Sequence, residues 1–546
     1  MNRRLRRARR TTTRAGSETE HSYDSDVGRR RAAALVSRAR KRPKDAPTFV
    51  ASIPLEVAMS QVRTITTRFE GARRIYNACL GEALKRARWM RADMRWARVK
   101  AISPDDPARS AAFRELRREH GFTEQDLMSY ASGCRVSWLR ELVFAQEAQV
   151  LGRRAYEAVN RWVIGERGRP RFKSVSRGLH SLEAKDLTGA LRIGQTSDGR
   201  AGLQWRQGFV LPFRLDEADP CHQWAALHVA AGRLLRCRIT RARIHGRWTF
   251  RAQLVLDGVP LQRYEPGRQL VGLDIGPSEI AVVSDHGAFK ETFCAELADQ
   301  QGEIRRLQRR LDRQHHAGSS SCYDERGRHR RGGCDWWRAR SKRADQTIVG
   351  LADAQRRLAE HRESLHGNLA NRILGQGMVI KTEKISYQAF QRAFGLSVAR
   401  RAPGTFMRML SRKAASAGGK VIDVNTWSTA LSQTCVCGAR ERKPLSQRVH
   451  MCCCGVAADR DVLAGFLVRH VDTTNDLHRL DAESAHVEWA RRDDIRGWSV
   501  SRCSNRRVPP AVPVGHGKPS EPVGHTGISL SPTKTLRRPA GPGAAA

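Results

Sequence analysis

No run of about 18 apolar residues occurs in the chain, so no transmembrane helix is expected. No apolar stretch follows the basic start, so a secretory signal is not expected either. There is no internal repeat. Acidic residues are scarce: 55 Asp and Glu stand against 98 Lys and Arg, a net charge of +43. A surplus of that size repels itself in a compact chain unless a polyanion neutralises it. Nucleic acid is the usual polyanion, because bound basic residues release its condensed counterions. Arg dominates the basic residues, and its guanidinium fork matches phosphate better than Lys does. The Arg bias of a GC-rich genome would explain Arg over Lys, but not the total. Cysteine is not lacking, but its 13 copies are an odd number. Five crowd between Cys435 and Cys454, which points to a metal site rather than to disulfides in that segment.

What is present is enough for real cores. The chain has 546 residues, 40% of them hydrophobic, which predicts roughly two to four domains. Residues 1–48 are Arg-rich with Ser, Thr and Pro and read as a disordered basic arm. A short strand opens at Phe49, within 49–62. Residues 63–167 then read as helical with basic faces, because Ile65, Phe69, Ala72, Tyr76, Cys79 and Ala83 recur at helical spacing. The run Trp138 to Phe144 is expected to be helical too. Gly168 to Lys173 breaks the pattern. Across 168–266 it becomes strand-like, with a hairpin turning at His245-Gly246-Arg247; one face is apolar and the other basic, as suits a β-barrel or sheet lying on a phosphate backbone.

From 267 to 430 the pattern is that of an α/β domain. Leu270 to Gly276 is a buried-type strand with Asp274 inside it. Glu279 to Val283 and Phe289 to Phe293 complete a β-meander, the usual opening of a ribonuclease H-like domain. Two basic helices follow over 297–372, around a Gly/Ser/Arg loop near 317–333. Met378 to Glu383 is a strand ending in a carboxylate, and Lys420 to Val424 is another. The cysteine cluster occupies 431–456. Asp459-Arg460-Asp461 then opens an apolar helix within 457–475. Residues 476–546 read as a mostly disordered tail.

Three carboxylates carry the chemistry. Hydrolysis of a phosphodiester needs an activated water and stabilisation of the leaving oxygen, and two divalent ions about 3.5–4 Å apart supply both. Mg²⁺, or Mn²⁺ in its place, takes hard oxygen ligands, so convergent Asp and Glu are required. In a ribonuclease H-like fold they come from the first strand, from the end of a later central strand and from the start of the last helix. Asp274, Glu383 and either Asp459 or Asp461 occupy those places in chain order. An actin-like or sugar-kinase ATPase shares the fold, but it would carry a second Gly-rich phosphate loop, and none is found. The two C-x-C-G half-sites offer Cys435, Cys437, Cys452 and Cys454 to a tetrahedral structural Zn²⁺, with Cys453 spare.

These residues resemble those of the TnpB family of RNA-guided nucleases, over roughly residues 50–470. Val271 to Ser278 resembles the first RuvC motif, and Lys381 to Ser386 the second. Thr434 to Gly455, followed by Asp459-Arg460-Asp461-Val462, is similar to the zinc ribbon and third motif. The resemblance selects Asp461 over Asp459 as the third acid. Leu463-Ala464-Gly465 departs from the family's usual N-A-A. Ala72 to Leu80 and Pro170 to Lys173 are also similar to the family.

The resemblance implies a multidomain α/β architecture. A β-barrel wedge domain (49–62 and 168–266) is interrupted by a helical recognition domain (63–167). A RuvC domain (267–430 and 457–475) with a zinc-ribbon insertion (431–456) follows. It also implies a Mg²⁺-dependent endodeoxyribonuclease that uses a guide RNA, recognises double-stranded DNA beside a short motif, and cuts with Asp274, Glu383 and Asp461. A bacterial, cytoplasmic, nucleoid-associated protein without membrane contact is the matching expectation. Three alternatives stand beside it: an RNA-guided DNA binder that no longer cuts, a compact type V CRISPR effector, and a transposase that joins strands.

Overall fold

In the computed structural model the described residues are 43, 46–187, 190–205, 209–262, 264–328, 330, 340–444, 446–475 and 477–496. The basic arm through residue 42, residues 329 and 331–339 at the end of the Gly/Ser/Arg loop and the tail beyond 496 lie outside the described residues. No described helix is long and apolar enough to cross a membrane.

The N-terminal half opens with strand β1 (Thr48–Pro54). Six helices follow: α1 (Met59–Ala92), α2 (Met94–Ala101), α3 (Pro107–Glu119), α4 (Glu124–Gly133), the single turn α5 (Leu139–Leu142) and α6 (Ala145–Val163). α1 forms where the spacing predicts it, with Ile65, Phe69, Ala72, Tyr76, Cys79 and Ala83 all on its buried face. The helix expected from Trp138 to Phe144 shrinks to one turn, because Val143 is extended and Phe144 starts α6.

Strands β2 (Ser181–Glu183), β3 (Leu191–Gln195), β4 (Ala201–Trp205) and β5 (Phe209–Pro212) follow, then α7 (Pro220–Ala230), β6 (Leu234–Ile244) and β7 (Arg247–Asp257). They form a four-stranded sheet, β1-β7-β6-β2, and a three-stranded one, β3-β4-β5. An isolated bridge from Leu55 to Phe213 joins them edge to edge. The β6–β7 turn lies at His245-Gly246, both with positive φ (48° and 75°), as a tight two-residue hairpin requires. The helices and both sheets share one continuous core, from Phe69 and Leu80 on α1 to Trp205, Leu211 and Leu254 on the strands. The helical and strand regions of this half thus share buried contacts in one hydrophobic cluster.

A carboxylate sits inside that core. Glu147 on α6 accepts hydrogen bonds from the Phe144 amide (2.9 Å) and the Trp205 indole (2.9 Å), and the Arg68 guanidinium lies over the Trp205 ring at 4.7 Å. Burial pushes the Glu147 carboxyl up to about 7, although both hydrogen bonds and Arg68 oppose it. The folded state therefore keeps a proton that the unfolded chain gives up near 4.5. Stability should fall as pH rises from about 4.5 through about 7 and level off above, by an amount of order 3 kcal/mol. Denaturant midpoints measured across pH 4–8 check this. Glu147→Gln should flatten that slope, and a slope unchanged by the variant would assign it to other groups.

The C-terminal half is built on a five-stranded mixed sheet. Its strands are β8 (Leu270–Ile275), β9 (Glu279–Ser284), β10 (Gly287–Thr292), β11 (Val379–Glu383) and β12 (Lys420–Val424). Their order is β10-β9-β8-β11-β12. The first three form the antiparallel meander, and β11 and β12 add parallel on the other side of β8. Between β10 and β11 run α8 (Ala298–Gly318) and α9 (Lys342–Gln376); between β11 and β12 run α10 (Tyr387–Arg401) and α11 (Pro403–Ser416). Cys322, at the loop between α8 and α9, is disulfide-bonded, with its partner outside the described residues. The two halves touch where the His245 amide donates to Asp353 of α9 (3.0 Å).

After β12 come the turn α12 (Thr426–Thr429), the paired strands β13 (Val449–Met451) and β14 (Ala457–Asp459), and α13 (Arg460–Leu467). The folded chain does not stop near 475, as expected, but continues through β15 (Val471–Asp472), β16 (Arg479–Leu480), α14 (Ala482–Ala490) and α15 (Asp493–Arg496). Ala485, Trp489 and Ile495 are buried in the same core as α13, with the Trp489 ring 5.1 Å from that of Phe466. Ala485 and Trp489 are one helical turn apart, but a single such pair in a polar stretch is too little to mark a helix in the sequence alone.

Two glycines set α13 on the sheet. A Cβ on Gly272 of β8 would overlap the carbonyl oxygen of Gly465 on α13. A Cβ on Gly465 would meet Val283 at 3.3 Å, the Ala281 oxygen at 3.7 Å and the Asp274 amide nitrogen at 3.8 Å, with no overlap. Gly272→Ala should therefore push the helix off the sheet and cost about 1–3 kcal/mol or more, whereas Gly465→Ala should cost much less. Thermal melts of the two variants test this asymmetry, and equal effects would contradict it.

Candidate active site and metal centre

Asp274 lies near the end of β8, and β11 runs parallel beside it with Thr382 paired to Leu273. Glu383, the next residue, therefore stands alongside Asp274 at the same end of the sheet. Asp461 is in the first turn of α13, one turn before Gly465, where that helix crosses β8. Three separated segments thus converge: the first strand, the end of the fourth and the start of a late helix. Asp459 has a different task. It is the N-cap of α13, and its carboxylate accepts from the amides of Asp461 (3.0 Å) and Val462 (3.1 Å).

The electrostatics are those of crowded acids. The Asp274 carboxyl is held well above the usual carboxylate range, first by burial, then by the charges of Asp461 and Glu383. Among the described residues no hydrogen bond or ion pair reaches its carboxylate. Glu383 is raised as well, by burial, although its Oε1 accepts from the Leu431 amide at 3.1 Å. The three carboxylates feel one another's charge without their oxygens all lying within 4.8 Å of one another, and Lys290 and Arg460 offset part of that charge; hard oxygen donors of this kind are what Mg²⁺ takes.

The sequence did not single out Lys290. On β10 its ammonium lies 2.7 Å from Asp461, 2.9 Å from Asp459 and 3.3 Å from Glu279. Burial lowers its pKa, but the two aspartates outweigh burial and the net shift is upward. Only the sheet register could have found it. Lys290 pairs with Ala281 on β9, and Ala281 pairs with Asp274 on β8, so all three share one row and one face.

The cysteines form the second cluster. Cys435, Cys437, Cys452 and Cys454 have their sulfurs all within 4.8 Å of one another, the one such group of candidate ligands among the described residues. Sγ separations of 3.6 Å join Cys435 to Cys454 and Cys437 to Cys452. A tetrahedron with Zn–S of about 2.3 Å has edges of about 3.8 Å, so four thiolates at this spacing fit Zn²⁺. The two half-sites are built alike. Cys435 N–H donates to Ala439 and Cys452 N–H to Val456, closing two turns at Gly438 (φ 83°) and Gly455 (φ 86°). Glycine is the residue that accepts such angles without strain. Cys453 is exposed, with its sulfur 3.9 Å from that of Cys452. The backbone amide of Cys454 holds the Cys452 thiol down at about 6, closer to the thiolate a metal needs.

The two clusters are mechanically joined. β13 pairs with β14, whose last residue is Asp459, the cap of α13. Cys435 and Val436 are buried in the same core as Val462, Leu463 and Phe466.

Residues 404–467 match the family model of the Cas12f1-like TNB domain. No curated protein matches the chain. Among solved structures, the chain is similar to one described as a Cas12f1–sgRNA–target DNA complex. The TM-score is 0.43 with 9% identity, over 80% of this chain and 100% of that one. A structure described as the mini RNA-guided endonuclease Cas-phi3 is similar at TM-score 0.33 with 11% identity, over 83% and 97%. A CRISPR-Cas12f ternary complex is similar at TM-score 0.27 with 13% identity, over 86% and 90%. The segment that holds the four cysteines and Asp461 thus matches the Cas12f1-like TNB domain.

Proposed function

We propose that this protein is an RNA-guided DNA endonuclease of the TnpB type, which hydrolyses DNA phosphodiesters at Asp274, Glu383 and Asp461. The observation that carries this reading is the convergence of those three acids at one end of the mixed sheet, with Asp274 buried and unpaired among the described residues. The match to the Cas12f1-like TNB domain supports it independently.

In this reading the three carboxylates hold Mg²⁺, or Mn²⁺ in its place. When bound, the metal supplies an activated water and stabilises charge on the leaving oxygen. The protein's own residues do the rest. The Leu431 amide fixes the Glu383 carboxylate, Asp459 caps α13 so that Asp461 faces β8, and the four cysteines hold structural Zn²⁺ in a zinc ribbon at the root of that helix. The partners are a guide RNA and a double-stranded DNA target beside a short motif. Base pairing reads the target sequence, and the protein reads duplex shape and the motif. The charge of +43 supports a polyanionic partner. The first two sheets serve as wedge domain and α1 to α6 as recognition helices. A binder that has lost cleavage is the second reading; retention of all three acids argues against it.

The test is to express the full chain with its flanking genomic DNA, sequence the RNA that copurifies, and reprogram that RNA against a plasmid library with Mg²⁺. A discrete RNA with guide-dependent cutting is expected. A discrete RNA with target binding but no cutting would leave the binder, and the absence of any discrete RNA would overturn guidance.

A further inference from the structure

Lys290 is not a surface lysine that drifted onto an acid. The register places Asp274, Ala281 and Lys290 in one row across β8, β9 and β10, with side chains on one face. The middle residue is a fully buried alanine, which leaves room for the lysine to lean across. Glu279 is two residues before Ala281 on β9 and so lies on the same face. Its carboxylate is 3.3 Å from the Lys290 ammonium, and both oxygens of Asp459 lie within 3.1 Å. The ammonium therefore has two kinds of acid partner: Asp461, which belongs to the proposed metal site, and Glu279 with Asp459, which do not.

We propose that Lys290 is a built-in counter-cation of the acid cluster: its ammonium holds Asp461 until a divalent ion takes that carboxylate, and then rests on Glu279 and Asp459. This inference depends on the nuclease reading above, since it assigns Asp461 to the metal. Two like charges cannot both sit against Asp461 in a partly buried site without cost. Lys290 therefore competes with the metal, keeps the crowded acids from repelling one another while the site is unloaded, and sets how much divalent ion the site needs. Glu279 is the other arm of the balance, because a lysine with a good resting place leaves Asp461 more easily. Lys290 and Glu279 are positioning residues in this scheme.

The experiment is calorimetric titration of Ca²⁺ into the full-length protein, freed of copurifying nucleic acid by high salt. Ca²⁺ reads binding without turnover. Lys290→Met should bind Ca²⁺ roughly tenfold more tightly than the wild type, the scale on which residues around a metal's ligands act. Glu279→Gln should bind it more weakly, and Lys290→Arg, which keeps the charge, should stay near the wild type. Asp274→Ala identifies the site. If Asp274→Ala leaves the wild-type isotherm unchanged, the ion is not held by these acids, and both the nuclease reading and this proposal fall. If Asp274→Ala removes binding but Lys290→Met binds equally or more weakly, the nuclease reading stands and Lys290 is no competitor. Should Lys290→Met not fold, Glu279→Gln decides: unchanged or tighter binding overturns the proposal.

Discussion

Asp274→Ala will abolish guide-dependent cutting and leave the fold standing. A metal ligand contributes several kcal/mol of transition-state charge stabilisation; about 4 kcal/mol corresponds to roughly a thousandfold in rate. Asp274 sits between Glu383 and Asp461, so its loss leaves two acids that no longer share a central ligand. Stability should move the other way. The Asp274 carboxyl is pushed up by burial and by its acidic neighbours, so its charge is a burden to the unloaded fold. The alanine variant should melt at or above the wild-type temperature without divalent ions, and its affinity for target DNA should persist. Cutting assays, melts and gel shifts on one preparation separate these outcomes. A variant that still cuts would remove Asp274 from the site. One that loses cutting only because it unfolds would show the carboxylate to be structural.

Loss of the cysteine cluster should be felt first as instability and then as inactivity. Structural zinc contributes folding free energy outright, with apparent values of about 10–16 kcal/mol in isolated fingers. Here the ribbon shares its core with α13, so Cys435→Ser should lower the melting temperature by on the order of 10 °C and release the metal. Asp461 follows β14 by two residues, so cutting should fail even below the melting point. Cys453→Ser is the internal control and should stay within about 0.5 kcal/mol of the wild type. Metal analysis should find a single zinc per chain in the wild type and in Cys453→Ser, and none in Cys435→Ser. Equal metal content in all three would assign the sulfurs another role.

The two acids on strands and the four cysteines were legible because each is marked locally. A carboxylate within or ending an apolar strand is conspicuous, and so is a repeated C-x-C-G. Gly465 was legible only as a departure from the family's N-A-A. The tertiary demand falls on its neighbour instead: α13 crosses β8 so closely that a Cβ on Gly272 would overlap the Gly465 carbonyl, whereas a Cβ on Gly465 itself meets no such overlap. The choice of Asp461 over Asp459 came from the family resemblance, and the fold adds what the neighbouring acid does. Adjacent acids at a helix start look alike in sequence, yet one turns back to cap the helix and the other faces the sheet.

The sequence by itself determined the basic character, the order of strands and helices in the α/β half, and which four cysteines gather into one cluster. Periodicity and local spacing encode those, because they depend on neighbours in the chain. Only the tertiary structure decided that the helices and strands of the first half share one core, that residues 477–496 fold back onto α13, and that Lys290 sits among the acids. Each rests on contacts between residues far apart in sequence. Lys290 and Asp461 are joined only through the register of three strands and the crossing of a helix, and no local pattern records that.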